Sequence, residues 1–332
     1  MAEYNLWTKY DLQEVWVYSM YGFGGMEQGM AEGGAKQDSM AEGSTKKNGM
    51  GKGGAKQIGT VETAAVGANP YKNRTEFWES LQEAEIQVVS LKKALLEGEM
   101  PKRNTLFVTD CPKIAERLST ANFPVLGILL EENKAASFSG VRYLAEGWES
   151  ITPSYLERVY RRCRGLPWQI LETKRCILRE TIEADVDAFY RIYEEPSITA
   201  FMENLFADRE EEIRYTADYR KNIYEFYGYG IWSVILKETG EVIGRAGLDM
   251  RRGFEEPELG FVIGVLWQRR GIAEEVCRAI LRYGEEELGF TRVQALTEQE
   301  NRASLALLKK LGFVFAGVYE EMGKEYLRYI KG

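Results

Sequence analysis

Three imperfect copies of one glycine-rich phrase, MAEGGAKQ from Met30, MAEGSTKK from Met40 and MGKGGAKQ from Met50, divide the chain. A repeat so rich in glycine and so poor in large apolar residues cannot offset the entropy of ordering its own backbone. The tract over 23–72 therefore reads as a flexible tether, and any core must come from the segments on either side. As a glycine-rich coil of about 50 residues it would span roughly 40 Å between its ends. A repeat-built solenoid is the rival reading, but the unit is too short to bury a face against its neighbours. Ahead of the tether, within 1–22, Leu6, Trp7, Tyr10, Leu12, Val15, Trp16, Val17 and Met20 predict an amphipathic helix that docks its aromatics.

The chain has 332 residues, enough for two ordinary domains. Over 73–172 the pattern predicts a small parallel α/β domain. Phe77, Leu81, Ala84, Val88, Leu91 and Leu95 recur at helical spacing, with Thr75 as N-cap and Gly98 as stop. A strand over Leu106–Thr109, a helix opened by Pro112, a buried strand over Pro124–Leu130 and a helix opened by Thr152 and Pro153 follow. The stretch LFVTDCPKIAERLSTANFPVLGIL loosely resembles the last βαβ part of haloacid-dehalogenase-like proteins. The DxDxT motif that carries that family's nucleophile does not occur in the sequence, so the resemblance implies a non-catalytic remnant, with Asp110 as a helix cap.

Several chemistries are excluded early. The sequence has no histidine, which removes Ser-His-Asp and Cys-His arrangements and most catalytic zinc sites; no metal is expected. Cys111, Cys163, Cys176 and Cys277 form no CxxC pair and read as reduced thiols of a cytoplasmic protein. A formal charge of −8 argues against nucleic acid as a partner, while it would attract a cationic amine. The longest apolar run, Phe123–Leu130, is far below the ~20 residues of a membrane span, and the first residues lack an apolar signal core. A monomer and a homodimer are equally compatible with the sequence.

Over 173–332 the pattern changes again. Cys176 and Leu178 alternate with arginines as a first strand, and Ile182, Val186, Phe189, Tyr190 and Tyr193 mark a helix face. Strands over Ile231–Leu236 and Glu241–Leu248 are joined by a turn at Thr239 and Gly240, and a fourth strand runs from Glu258 to Gly264. That strand leads into QRRGIA, Gln268 to Ala273, opening a helix whose buried face is Ile272, Val276, Ile280, Tyr283 and Leu288. The first turn of a helix offers unpaired N–H groups and the positive end of its dipole, which suits a pyrophosphate. Gly271 and the small Ala273 let the anion approach the backbone, and Arg269 and Arg270 add charge at the rim. A helix that merely begins with arginines and a glycine is the plainer alternative.

The segments GYGIWSVILKETGEVIGRAGL, ELGFVIGVLWQRRGIAEE and NRASLALLKKLGF, in this order, resemble the Gcn5-related N-acetyltransferases (GNAT), and among them the Rim-type enzymes that acetylate ribosomal proteins at their amino termini. The resemblance covers roughly Arg175 to Ile330. It implies a mixed α/β fold whose central sheet splays between its fourth and fifth strands, with acetyl-CoA as co-substrate in the gap. By the family pattern, main-chain groups of Phe261, Val262 and Ile263 pair with the pantetheine amides. Gln268 and the N–H groups from Arg269, Arg270, Gly271, Ile272, Ala273 and Glu274 hold the pyrophosphate. Asn301 reaches the pantetheine arm; as a plain N-cap it would fill a second role compatible with the first.

The implied reaction is direct attack of a neutral amine on the thioester carbonyl in a ternary complex. Glu258, on the fourth strand, is the candidate base, acting through water, with a solvent-facing carboxylate as its alternative; Asp249 is next. Many relatives carry a tyrosine acid seven positions after the asparagine, where this chain has Leu308. Ser304, three positions after Asn301, matches the serine of some Rim-type members, and a helix-surface serine is its alternative. Tyr319 and Tyr326 read as sheet residues. Deprotonating a lysine at pH 7 costs about 4.6 kcal/mol and an α-amine about 1 kcal/mol, which leans the site towards α-amines. A small polyamine or antibiotic amine is a second acceptor class, with Phe201, Tyr227, Tyr229 and Trp232 on the acceptor side. A catalytically silent acyl-CoA-binding sensor or scaffold is the alternative from outside the enzymes.

Overall fold

The computed structural model describes residues 14–18, 81, 86–91, 94, 97, 98, 100–148, 151–321 and 323–332. The chain divides into two compact units, Met1–Arg164 and Gly165–Gly332. The glycine-rich repeats and the predicted cap at Thr75 lie outside the described residues.

The first unit holds a five-stranded sheet of β1 (Glu14–Tyr18), β2 (Gln87–Ser90), β3 (Thr105–Thr109), β4 (Val125–Leu129) and β5 (Tyr143–Glu146), in the order β2-β1-β3-β4-β5. Every pairing is parallel. Parallel strands are covered on both faces, so they read as unbroken apolar runs; β3 is buried at every position. Helix α1 (Pro112–Thr120) follows β3 and α2 (Pro153–Cys163) follows β5; Thr152 caps α2 by accepting the Tyr155 N–H at 3.1 Å. Leu91, Ala94, Phe107, Ala115, Val125 and Phe138 form a buried cluster.

Three expectations are corrected here. The predicted helix over 1–22 gives way to a strand at Glu14–Tyr18, because the run EVWVY pairs with β3 on one side and β2 on the other. The predicted helix from Thr75 to Gly98 is interrupted by β2, so Val88 belongs to a strand while Leu81 and Leu91 are helical. The cap of α1 is Cys111, not Asp110, whose backbone carbonyl instead accepts Asn133 Nδ2 at 2.7 Å.

The second unit is built on an eight-stranded mixed sheet. Its strands are β6 (Gln169–Glu172), β7 (Cys176–Arg179), β8 (Ile231–Leu236), β9 (Val242–Asp249), β10 (Glu258–Ile263), β11 (Val293–Thr297), β12 (Val314–Glu321) and β13 (Lys324–Lys331). Their order is β12-β13-β11-β10-β9-β8-β7-β6. Strand β6, on the far side of the boundary placed at residue 172, pairs antiparallel with β7. The helices of eight residues or more are α3 (Val186–Tyr193), α4 (Arg209–Tyr219), α5 (Ile272–Glu286) and α6 (Arg302–Leu311). Helix α4 runs into a π-helical turn, Arg220–Tyr224. The core joins Leu178, Trp232, Val234, Ile243, Leu248 and Leu259 of the sheet to Ile272, Val276 and Ile280 of α5. Gly247 belongs to this sheet because a Cβ there would lie 2.0 Å from the Gly230 carbonyl oxygen. No helix among the described residues is long and apolar enough to cross a membrane.

Candidate active site

Strand β10 is antiparallel to β9 along its full length, Glu258 opposite Asp249 through Ile263 opposite Gly244. Its other neighbour, β11, runs parallel and meets it only at Glu258 and Gln294, while β11 pairs with β13 at every residue from Val293 to Thr297. The two central strands therefore diverge from a vertex at Glu258, which leaves the β11-facing edge of Gly260–Ile263 without a strand partner. The main-chain groups of Phe261, Val262 and Ile263 lie on this strand, with Val262 and Ile263 side chains buried and Phe261 half-buried. An unpaired strand edge in a gap is suited to receive another chain of amides.

At the open end of the gap the chain turns through Val265–Trp267 and enters α5. Gln268 folds back, its Nε2 donating to the Ile263 carbonyl at 2.8 Å. Arg269 sits at φ 58°, a left-handed conformation that costs a non-glycine residue about 1–2 kcal/mol, and Gly271 at 75° caps the helix. That cap brings no side chain to the N–H groups of Ile272, Ala273 and Glu274. Backbone donors and the positive helix end are thus both presented at one turn. The turn is held from a distance: Arg175 Nη1 donates to the Arg270 carbonyl at 2.8 Å, and Arg175 N and Nε hold the two oxygens of Glu275 at 2.8 and 2.7 Å.

Asn301 caps α6 by accepting the Ser304 N–H at 3.1 Å, the N-cap role weighed for it from sequence. Ser304 lies in the first turn of that helix and is half-buried. Leu308 is buried in the main core, so its position supplies packing and no proton. Tyr319 and Tyr326 face each other across the β12–β13 hairpin.

Two carboxyl groups stand at the vertex. Glu258 is ion-paired with Arg251 at 3.1 Å, and Arg251 also reaches Glu321 at the end of β12. Burial pushes the Glu258 carboxyl above its usual range, against the pull of the Arg251 guanidinium. Asp249 is raised as well, again by burial, with the Met250 N–H and the Tyr219 hydroxyl pulling the other way. Sequence reasoning missed Arg175, Tyr219 and Arg251. Each acts on a partner brought close by the fold, and no local spacing signals such a pairing. One placement is corrected: Trp232 is wholly buried, edge-on to Tyr283 at 5.7 Å between ring centroids, and so lines the core and not an acceptor face.

The second unit is similar in sequence to known proteins. The acetyltransferase (GNAT) domain family matches residues 175–314. The uncharacterized N-acetyltransferase YoaA of Bacillus subtilis is 30% identical over 155 residues, 46% of this chain and 86% of that protein. The uncharacterized N-acetyltransferase p20 of Bacillus licheniformis is 30% identical over 169 residues, 49% of this chain and 92% of its own length. A crystal structure of an acetyltransferase from Agrobacterium tumefaciens is 26% identical with a TM-score of 0.43, covering 49% of this chain and 93% of that one. The chain therefore belongs to the GNAT family of N-acetyltransferases, which are acyl-CoA-dependent enzymes.

Proposed function

We propose that the second unit transfers acetyl from acetyl-CoA to a primary amine by direct attack in a ternary complex. The observation that carries this reading is the divergence of β10 from β11 beyond Glu258, with the uncapped start of α5 at the open end of the gap. The pantetheine arm would run along Phe261, Val262 and Ile263, its amides pairing with the main-chain groups of β10 that face the gap. The diphosphate would rest on the amides from Arg269 to Glu274, with Gln268 bracing the turn and Asn301 facing the arm.

The neutral amine nitrogen attacks the thioester carbonyl carbon and the C–S bond breaks. One proton leaves the nitrogen for Glu258, through water, and the CoA thiolate takes a proton, with the Ser304 hydroxyl as the candidate donor. A β10 main-chain N–H supports the oxyanion. Glu258 suits the role because burial raises its basicity while Arg251 keeps it oriented. A single moderate base favours an α-amine, whose deprotonation at pH 7 costs about 1 kcal/mol against about 4.6 for lysine. All four cysteines are free, which suits a cytoplasmic setting. No step is assigned to the first unit.

The test is thiol release by the full-length protein with acetyl-CoA and a panel of peptide α-amines, lysine side-chain analogues and polyamines. Release with α-amines first is expected. Tight CoA binding with no release on any amine would instead identify a silent acyl-CoA-binding module, and no CoA binding at all would overturn both.

A further inference from the structure

Three arginines stand on the strands of the second unit's sheet, Arg179 on β7, Arg245 on β9 and Arg328 on β13. Arg179 pairs with Asp185 at 2.7 Å and Arg328 with Glu256 at 2.8 Å. Among the described residues no carboxylate pairs with Arg245, in a chain that carries 51 acidic residues against 43 basic ones. Its guanidinium is held all the same. Nε donates to the Tyr193 hydroxyl at 2.9 Å, and the head lies 4.9 Å from the Tyr193 ring centre and 5.3 Å from that of Phe189. Both rings belong to α3 and are buried. Contact with aromatic faces orients a guanidinium without neutralising it. With Nε engaged, the two Nη groups remain, and they meet no acceptor among the described residues. A planar fork of donors fixed in this way is preorganised to take a carboxylate bidentately. The Tyr193 hydroxyl, which accepts from Nε, keeps its own proton to donate to the same anion.

Register puts this fork on the same face of the sheet as Glu258. Arg245 is opposite Val262 and Asp249 opposite Glu258, and residues two apart on a strand, or directly across a pair, share a face. Val262 packs with Phe189 and Tyr193 on that face, whereas Leu259 and Ile263, one residue out of phase, pack with α5 on the other. Four residues of β10, about 13 Å, separate Glu258 from Val262. Gly260, midway between them, is half-buried and brings no side chain, so main chain floors the interval.

We infer that Arg245 is a specificity-determining residue that receives a carboxylate of the acceptor. This rests on the acetyl-transfer reading and narrows its substrate class: a peptide with a free α-amine and an aspartate or glutamate among its first five residues. An extended chain covers about 13 Å in four residues, so an α-amine beside Glu258 brings one of those side chains to Arg245. The amine and carboxylate of a single amino acid stand too close together to reach both. Glu258 takes the proton, and the Arg245 fork sets which chains bind.

The experiment uses the full-length protein with acetyl-CoA and short peptides of one neutral sequence, with aspartate placed in turn at positions two to five and asparagine at the same positions. For wild type, kcat/KM at the best position should favour aspartate over asparagine about tenfold or more, most of it in KM. In Arg245→Gln that ratio should fall to within about twofold of unity, while Arg245→Lys keeps part of it. An arginine that only packs α3 onto the sheet would, when replaced, lower kcat/KM for both peptides alike; a ratio left intact in Arg245→Gln would therefore overturn the inference. So would a wild-type ratio near unity at every position, a result that needs no variant to fold. Free aspartate or glutamate turned over as fast as the best peptide would overturn the peptide class. Turnover of polyamines or lysine analogues with none of peptides would leave the transfer reading standing and sink this one. Absence of turnover by wild type on every amine would overturn both.

Discussion

Arg175, at the entry to β7, donates to the Arg270 carbonyl at 2.8 Å and so fixes the turn before α5 from 95 residues away. Its backbone N–H and Nε take both oxygens of Glu275 within the first turn of the same helix. Arg175→Ala keeps the backbone bond and loses both side-chain bonds. The side chain is 38% exposed, so screening reduces their worth to about 1 kcal/mol. The expected result is a roughly fivefold weaker CoA affinity by calorimetry, with kcat at saturating acetyl-CoA near that of wild type. An unchanged affinity would show that this arginine does not support the turn proposed to hold the diphosphate.

The guanidinium of Arg251 sits between Glu258 and Glu321 and lies 5.8 Å from the Tyr326 ring centre. Arg251→Gln leaves Glu258 buried without its counter-charge, a loss of about 1–3 kcal/mol in stability by denaturant melts. The same change removes what holds the Glu258 pKa down, so the acid limb of the pH–rate profile should move to higher pH. A profile that stays in place would show that Glu258 is not the titrating base.

Asp249 ties stability to pH. Burial raises its folded-state pKa above the usual carboxylate value, so the folded state holds its proton more tightly than the unfolded chain does. That contribution to stability is present below the unfolded pKa and is lost as pH rises through the folded one. Asp249→Asn removes the desolvated charge, and its Tm should exceed that of wild type at pH 7, with the gap closing towards pH 4. A variant melting below wild type at neutral pH would contradict the burial cost.

The fold was legible where one stretch of chain carries its own instruction. QRRGIA announced a glycine turn and a helix, and α5 begins at Ile272 with Val276 and Ile280 buried as their spacing required. The hairpin of β8 and β9 and the strand Val293–Thr297 were equally plain. Strand β1 was not, because aromatic residues three and four apart around it imitate a helix face, and only pairing with β2 and β3 makes the segment extended. Strand β5, YLAE, offers neither an apolar run nor clean alternation. Glu258, the base candidate read from the motif order, lies where β10 and β11 meet. Its guanidinium partner comes from register, and the seat of the Tyr219 hydroxyl on the Ile231 N–H comes from a π-helical turn, neither of which a spacing rule encodes.

Gly244 tests the geometry of the gap itself. A Cβ at this position would lie 2.2 Å from the Val262 carbonyl oxygen and 3.0 Å from the Ile263 Cα, both main chain of the strand that would carry the pantetheine. Backbone cannot swing aside as a side chain can, so Gly244→Ala should push β10 away from β9 and cost about 1–3 kcal/mol or more. Since β10 would move as a whole edge, CoA affinity should fall along with Tm. Gly260→Ala is the matched control on β10, for there the nearest atom is the Ile231 Cδ1 at 3.2 Å, the end of a flexible side chain. Equal Tm and equal CoA affinity in the two variants would mean that β10 owes its position to something other than its close approach to β9.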